Sequence, residues 1–288
     1  MLDFDIISPK TSHELFEVIS NSQDKNYRFG AGYTDLINDL NNNLQQNLTV
    51  INLAKLNDNN FKAININENG VQIGALVTAA QLLENNIIQN NYPVLWEAIN
   101  SVASKEIRAT ATIGGNICQA SPSGDMSCAL VALKAVCEIV DSKENIRKEN
   151  ICDFFRGVKK TSLKKNEILR SIFVPINISK NIKSGYIKVG TRNSMEIAIA
   201  SIAYHFQKDE QNNVIDAGYA IGAVAPTIVF TKDACDFIIR KNINSLNETD
   251  VKQFANLIKK YARPISDIRA SAWYREEVLI NLSETILK

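Results

Sequence analysis

The sequence predicts an α+β chain of two domains, and three observations carry that prediction. At 288 residues the chain has room for about two domains of roughly 100–200 residues each. Up to residue 177, short β-branched runs alternate with amphipathic segments that open on helix caps. Beyond residue 178 three longer strands follow one another and two helices close the chain. That order, β-β-β-α-α, predicts a C-terminal domain over 178–288 built on a three-stranded antiparallel sheet with helices.

The elements follow from local patterns. Phe4–Ile7 reads as a strand. Thr11 and Glu14 form a capping box that opens a helix with Leu15, Val18 and Ile19 on one face. Tyr27-Arg28-Phe29 reads as a strand running into the small-residue loop Gly30-Ala31-Gly32 and a further helix. The Asn-rich segment 41–47 reads as loop, Thr49–Leu53 as a strand, and Phe61–Ile66 with Val71–Ile73 as a hairpin-like pair. Thr78 and Gln81 make a second capping box, and Pro93 suits the first turn of a helix over 94–103. Met126–Leu133 reads as helix, Ala135–Val140 as strand, and Glu167–Pro175 as a strand ended by its proline. Tyr186–Val189, Ile197–Phe206 and Val214–Val224 supply the three late strands, and Glu248–Tyr261 and Ile268–Leu282 the two late helices.

Composition bounds the function. Lys+Arg of 32 against Asp+Glu of 31 gives a net charge of +1, so no global field draws the chain to nucleic acid or a membrane surface. No apolar run approaches the ~18 residues of a membrane span. The start Met1-Leu2-Asp3-Phe4-Asp5 lacks the basic opening of a signal peptide, and a cytoplasmic location is expected. The five cysteines form no C-x-x-C pair, and only His13 and His205 add imidazoles; metal chemistry is therefore expected on another chain.

One stretch draws attention, Glu106 to Asp125, E-I-R-A-T-A-T-I-G-G-N-I-C-Q-A-S-P-S-G-D. Its apolar, β-branched start favours extended backbone, and the pair Gly114-Gly115 permits positive φ and close approach to a ligand. Hydroxyls, an amide and the carboxylate of Asp125 surround it, a set suited to a phosphate and a sugar hydroxyl. For the glycine pair alone a tight turn between two strands is the better account, and a second such loop upstream raises the ligand reading; Asp125 serves as ligand contact or as helix N-cap, and the two are compatible. The second loop, at Gly30–Gly32, is a strand-to-helix turn without the third glycine of a Rossmann fingerprint.

Taken together these marks resemble the FAD-binding subunit of the molybdenum hydroxylases, the xanthine dehydrogenase-like and carbon monoxide dehydrogenase-like group. The resemblance covers nearly the whole chain. It rests on F-G-A-G-Y-T-D-L (Phe29–Leu36), T-I-G-G-N (Thr112–Asn116), A-S-P-S-G-D (Ala120–Asp125) and E-I-L (Glu167–Leu169). Y-I-K-V-G-T-R (Tyr186–Arg192), G-A-V-A-P-T (Gly222–Thr227) and I-R-A-S-A-W-Y-R (Ile268–Arg275) complete it.

The resemblance implies a PCMH-type flavin fold: two α/β FAD-binding subdomains, about 1–56 and 57–177, and a C-terminal flavoprotein domain closing over them. It implies that Phe29, Gly30, Ala31, Gly32, Tyr33, Thr34, Asp35 and Leu36, with Thr112, Ile113, Gly114, Gly115 and Asn116, clasp the pyrophosphate of a non-covalent FAD. Asp125 would hold the ribose or adenine side, and Leu169 and Lys188 would lie along the flavin. Lys160 is carried over from a Gly-x-Gly-Lys-Thr turn that stands here as Gly157-Val158-Lys159-Lys160-Thr161. Where the family has a small or amide residue after the second loop glycine, this chain has Tyr33, which is strained if the position needs φ > 0 and either covers or occludes the cofactor.

The implied role is an electron-transfer subunit. Electrons would come from iron–sulfur clusters on a small partner subunit and leave to NAD or another acceptor. The molybdopterin large subunit would hydroxylate a purine or other N-heterocycle. A flavin performs the redox step itself, so no acid–base triad is expected. The alternatives are a non-catalytic bridging subunit of the same complex and a stand-alone flavin oxidase.

Overall fold

The computed structural model describes residues 4–42, 46–177, 179–192 and 195–288; the expected domain boundary at 178 and the middle of the Asn-rich loop fall outside them. The chain opens with β1 (Phe4–Ile7), α1 (Ser12–Asn21), β2 (Asn26–Gly30), α2 (Leu36–Asn42) and β3 (Leu48–Asn52). These strands form a parallel sheet in the order β1-β3-β2. Thr11 caps α1 by accepting from Glu14 N, but the Glu14 carboxylate reaches Lys10 N (2.7 Å) instead of closing the reciprocal box.

The second unit holds α3 (Asn59–Lys62), β4 (Ile64–Asn67), β5 (Gly70–Gly74), α4 (Ala79–Leu83), α5 (Asn86–Asn91), α6 (Pro93–Asn100), α7 (Lys105–Thr110), α8 (Ile113–Gln119) and α9 (Asp125–Ala132). It continues through β6 (Val136–Asp141), β7 (Ile146–Asn150), α10 (Ile151–Phe154), β8 (Phe155–Gly157), β9 (Lys160–Thr161) and β10 (Glu167–Pro175). A five-stranded sheet, β4-β5-β10-β6-β7, is its floor. The central strand β10 carries a bulge between Leu169 and Ser171. The intervening Arg170 gives its carbonyl to Ala75 N (3.0 Å) and its guanidinium to Glu138 (2.8 Å). Such a bulge re-aims the neighbouring side chains.

The third unit has β11 (Asn181–Val189), β12 (Ala200–Lys208), β13 (Val214–Gly222), β14 (Val229–Phe230), α11 (Lys232–Ile238), α12 (Glu248–Lys259) and α13 (Ala272–Thr285). Its antiparallel sheet is four-stranded, not three-stranded, because the two-residue β14 pairs with Ala220 and Ile221. A strand that short carries too little alternation to read in sequence.

Two sequence expectations fail locally, for reasons the structure supplies. Lys105–Thr110 is not extended: Ser104 caps α7, accepting from Ile107 N, and Lys105, Glu106, Arg108 and Ala109 suit a helix. The pair Gly114-Gly115 lies inside α8 and neither glycine has positive φ. Gly114 is required by packing: a Cβ there would stand 2.6 Å from Ala75 Cβ and Ala75 O. Its N–H donates to that same carbonyl at 2.8 Å.

One buried core runs from the second sheet through α6, α8 and α9 to Ala203 and Ala220 of the third sheet. Among the described residues no helix is long and apolar enough to cross a membrane.

Candidate functional site

A cavity of about 570 Å³ opens between the first unit and the second, within the range of sites that take small molecules and cofactors, roughly 300–1,000 Å³. One wall is Phe29, Ala31, Gly32, Tyr33, Thr34, Asp35 and Leu36; the other includes Thr112, Gly114, Gly115, Asn116 and Leu169. The two loops, some eighty residues apart in sequence, therefore meet. Their contact is direct at Gly32, where a Cβ would lie 2.1 Å from Thr110 O. The segment after Thr110 is in turn tied down by Ala79 N to Ala111 O (2.9 Å) and Ile113 N to Val77 O (2.9 Å).

The walls differ in what they offer. The backbone N–H groups of Ala31 through Asp35 find no acceptor among the described residues, and five consecutive donors at a cavity wall suit an anion. At the start of α8, by contrast, Gly114 N and Gly115 N are already committed, the latter to Thr112 Oγ1 (3.0 Å). That wall supplies close approach at Gly115 and side-chain donors. Asn116 accepts from Ser127 N and Ser127 Oγ through Oδ1, which turns its amide nitrogen into the available donor. Elsewhere the lining is mostly apolar, with Leu53, Leu76, Val102, Met126 and Ile168 beside the polar Arg28 and Gln119. Sequence reasoning missed these apolar residues because each reads as ordinary core.

Tyr33 does sit at positive φ (61°), a conformation that costs a bulky residue of order 1 kcal/mol or more. Its ring folds back over Gly30, where a Cβ would stand 2.5 Å from the ring, and it packs against the small core of Leu36, Leu40, Leu48 and Val50. Gly30 is thus buried beneath Tyr33, and Ile113 points into the main core; neither side lines the cavity. Burial, with the Asp39 charge added, raises the carboxyl pKa of Asp35 against the opposing pull of Lys159.

Three other expected site residues stand apart. Lys160 is exposed on β9. Asp125 is buried but does not cap α9, whose N-cap is Gly124. It accepts instead from Tyr186 Oη (2.5 Å) and from Lys188 Nζ (2.9 Å), both on β11. Lys188 Nζ also donates to Ser101 O (2.8 Å), and Tyr186 N to Glu97 Oε2 (2.7 Å). Burial raises the Asp125 carboxyl pKa despite the two donors, and pushes the Tyr186 phenol well up. Ala223 N, on the turn after β13, donates to Pro122 O (2.7 Å) just ahead of α9. These residues tie the third unit to the second.

The architecture and the shared cavity define a cofactor-sized cleft with two walls, one from the first unit and one from the second. Family comparison agrees: residues 2–177 match the FAD binding domain in molybdopterin dehydrogenase, and residues 185–288 the CO dehydrogenase flavoprotein C-terminal domain. The chain belongs to this family of FAD-binding oxidoreductase subunits of molybdenum hydroxylases. The glyceraldehyde dehydrogenase medium chain of Sulfolobus acidocaldarius is 32% identical over 80% of this chain and 78% of the relative. The xanthine dehydrogenase FAD-binding subunit of Escherichia coli O157:H7 is 29% identical over 89% and 86%. Among solved structures, Cu,Mo-CO dehydrogenase superposes with a TM-score of 0.89 at 22% identity, covering 98% of this chain and 95% of that one. Quinoline 2-oxidoreductase from Pseudomonas putida 86 gives 0.87 at 22%, covering 99% and 95%.

Proposed function

We propose that this chain holds FAD in the cavity between the first and second units and passes electrons through it within a molybdenum hydroxylase complex. The observation that carries the reading is the run of N–H groups at Ala31–Asp35, without an acceptor among the described residues, in a cavity whose other wall includes Gly115. A diphosphate needs several donors at once, and charged hydrogen bonds contribute about 1.5–3 kcal/mol each. Ala31–Asp35 with Thr112 and Asn116 hold the diphosphate, and Ile168 and Leu169 cover an apolar face of the ligand. When bound, FAD supplies the redox chemistry; the chain binds it, orients it and limits its contact with water. We divide the chain at residue 178 into a FAD-binding domain of two subdomains and a C-terminal flavoprotein domain.

In this reading the iron–sulfur clusters and the molybdopterin are held by a small and a large partner subunit in the cytoplasm. Electrons leave to NAD or another acceptor, and the substrate is a purine or other N-heterocycle. The relatives support partners of this kind: the chain matches 14% of the length of xanthine dehydrogenase 1 of Arabidopsis thaliana, so most of that protein has no counterpart here. The test is to purify the full chain and record its absorbance with and without added FAD. A flavin spectrum at one FAD per chain is expected; a folded, colourless protein that refuses FAD overturns the proposal.

A further inference from the structure

Beside the cavity the tip of the β8–β9 hairpin reaches back to the first unit. Lys159 Nζ lies 2.9 Å from Asp39 Oδ1 on α2, and the other oxygen of Asp39 takes Arg28 at 3.2 Å. Arg28 and Asp35 line the cavity, and Asp35 feels the charges of both Asp39 and Lys159. The cluster of Lys159, Asp39 and Arg28 therefore stands beside the site, touching its lining through Arg28. The hairpin is held in place from behind: Lys159 N donates to Ala120 O (3.1 Å), at the end of α8, and Lys159 itself turns the chain at φ 55°.

Resting on the FAD reading, we propose that the Lys159–Asp39 pair is a latch that retains the dinucleotide by tying the hairpin of the second unit to α2 of the first beside the cavity. It is Lys159 rather than Lys160 that spans the gap, since Lys160 faces solvent on β9. The latch acts on release and not on the contacts that hold the ligand. Lys159 is over half exposed, with a side-chain accessibility of 57% against 21% for Asp39, so its effect is modest and weakened by salt.

The experiment measures FAD release from the full chain by the recovery of flavin fluorescence on dilution, in Lys159→Met, Asp39→Asn, the double variant and Lys159→Arg. Each single removal speeds release by about three- to fivefold, the scale of one part-exposed ion pair. The double variant is no faster than either single one, Lys159→Arg behaves as the parent, and urea midpoints of the FAD-free proteins barely move. An unchanged rate in Lys159→Met overturns the latch. So does acceleration by Lys159→Met alone, or additive effects, because either assigns Lys159 to the ligand directly. A parent chain that retains no FAD removes the latch and the FAD reading together, a different outcome from a parent that binds FAD and variants that match it.

Discussion

Lys188 Nζ lies 2.9 Å from Asp125 Oδ2 in a pair that crosses from the third unit to the second, with side-chain accessibilities of only 10% and 11%. Tyr186 supplies the second donor to the same carboxylate. A buried pair of this kind is weak evidence of net stability, but removing one member leaves an uncompensated charge. Asp125→Ala is therefore expected to cost about 3 kcal/mol of folding stability, within the range for breaking a buried pair. The double variant Asp125→Asn, Lys188→Met should cost less than the sum of its singles in urea unfolding. Additive costs would show that the two side chains do not depend on one another.

The two helical glycines separate packing from ligand approach. Gly114→Ala drives a methyl into Ala75 at 2.6 Å and should destabilise the chain by about 1–3 kcal/mol, as overpacking does. Gly115 faces the cavity, and a Cβ there meets only Thr112 Oγ1, at 2.9 Å. Gly115→Val is expected to keep the fold, seen as a parent-like near-ultraviolet circular dichroism, while lowering FAD affinity at least tenfold by titration.

His205 sets a pH dependence. It is 3% exposed, its Nε2 is 2.8 Å from Asn177 Oδ1, and burial lowers its pKa from 6.5 to about 4. The unfolded chain therefore binds this proton more readily than the folded one. The stabilising effect of keeping His205 neutral is complete above pH 6.5 and is lost as the pH falls toward 4, a swing of about 3 kcal/mol by linkage. Urea midpoints of the parent should fall more steeply between pH 7 and 4.5 than those of His205→Gln. Parallel profiles would contradict the assignment.

The sequence made the frame legible where periodicity was long or caps were explicit. Thr78 and Gln81 close a full capping box, β10 occupies the expected Glu167–Pro175, and α12 and β13 fall close to their expected spans. It misplaced what depends on contacts distant in the chain. The glycine pair reads as a turn because nothing nearby announces that Ala75 will sit against Gly114. Asp125 reads as a possible N-cap because its partners Tyr186 and Lys188 lie 61 and 63 positions away. The motif residue Glu167 likewise proves to be a partner of Arg147 (2.8 Å). The meeting of Gly32 with Thr110 was foreseeable only as a convergence of two loops, and the apolar lining not at all.

Backbone hydrogen exchange on the full chain, with and without saturating FAD, reads the two walls at once. The amides of Ala31–Asp35, without an acceptor among the described residues, should exchange far more slowly when FAD is present, and residues 112–119 should gain protection in step with them. Protection confined to one wall, or exchange at Ala31–Asp35 unaffected by bound FAD, would contradict a diphosphate gripped between the two.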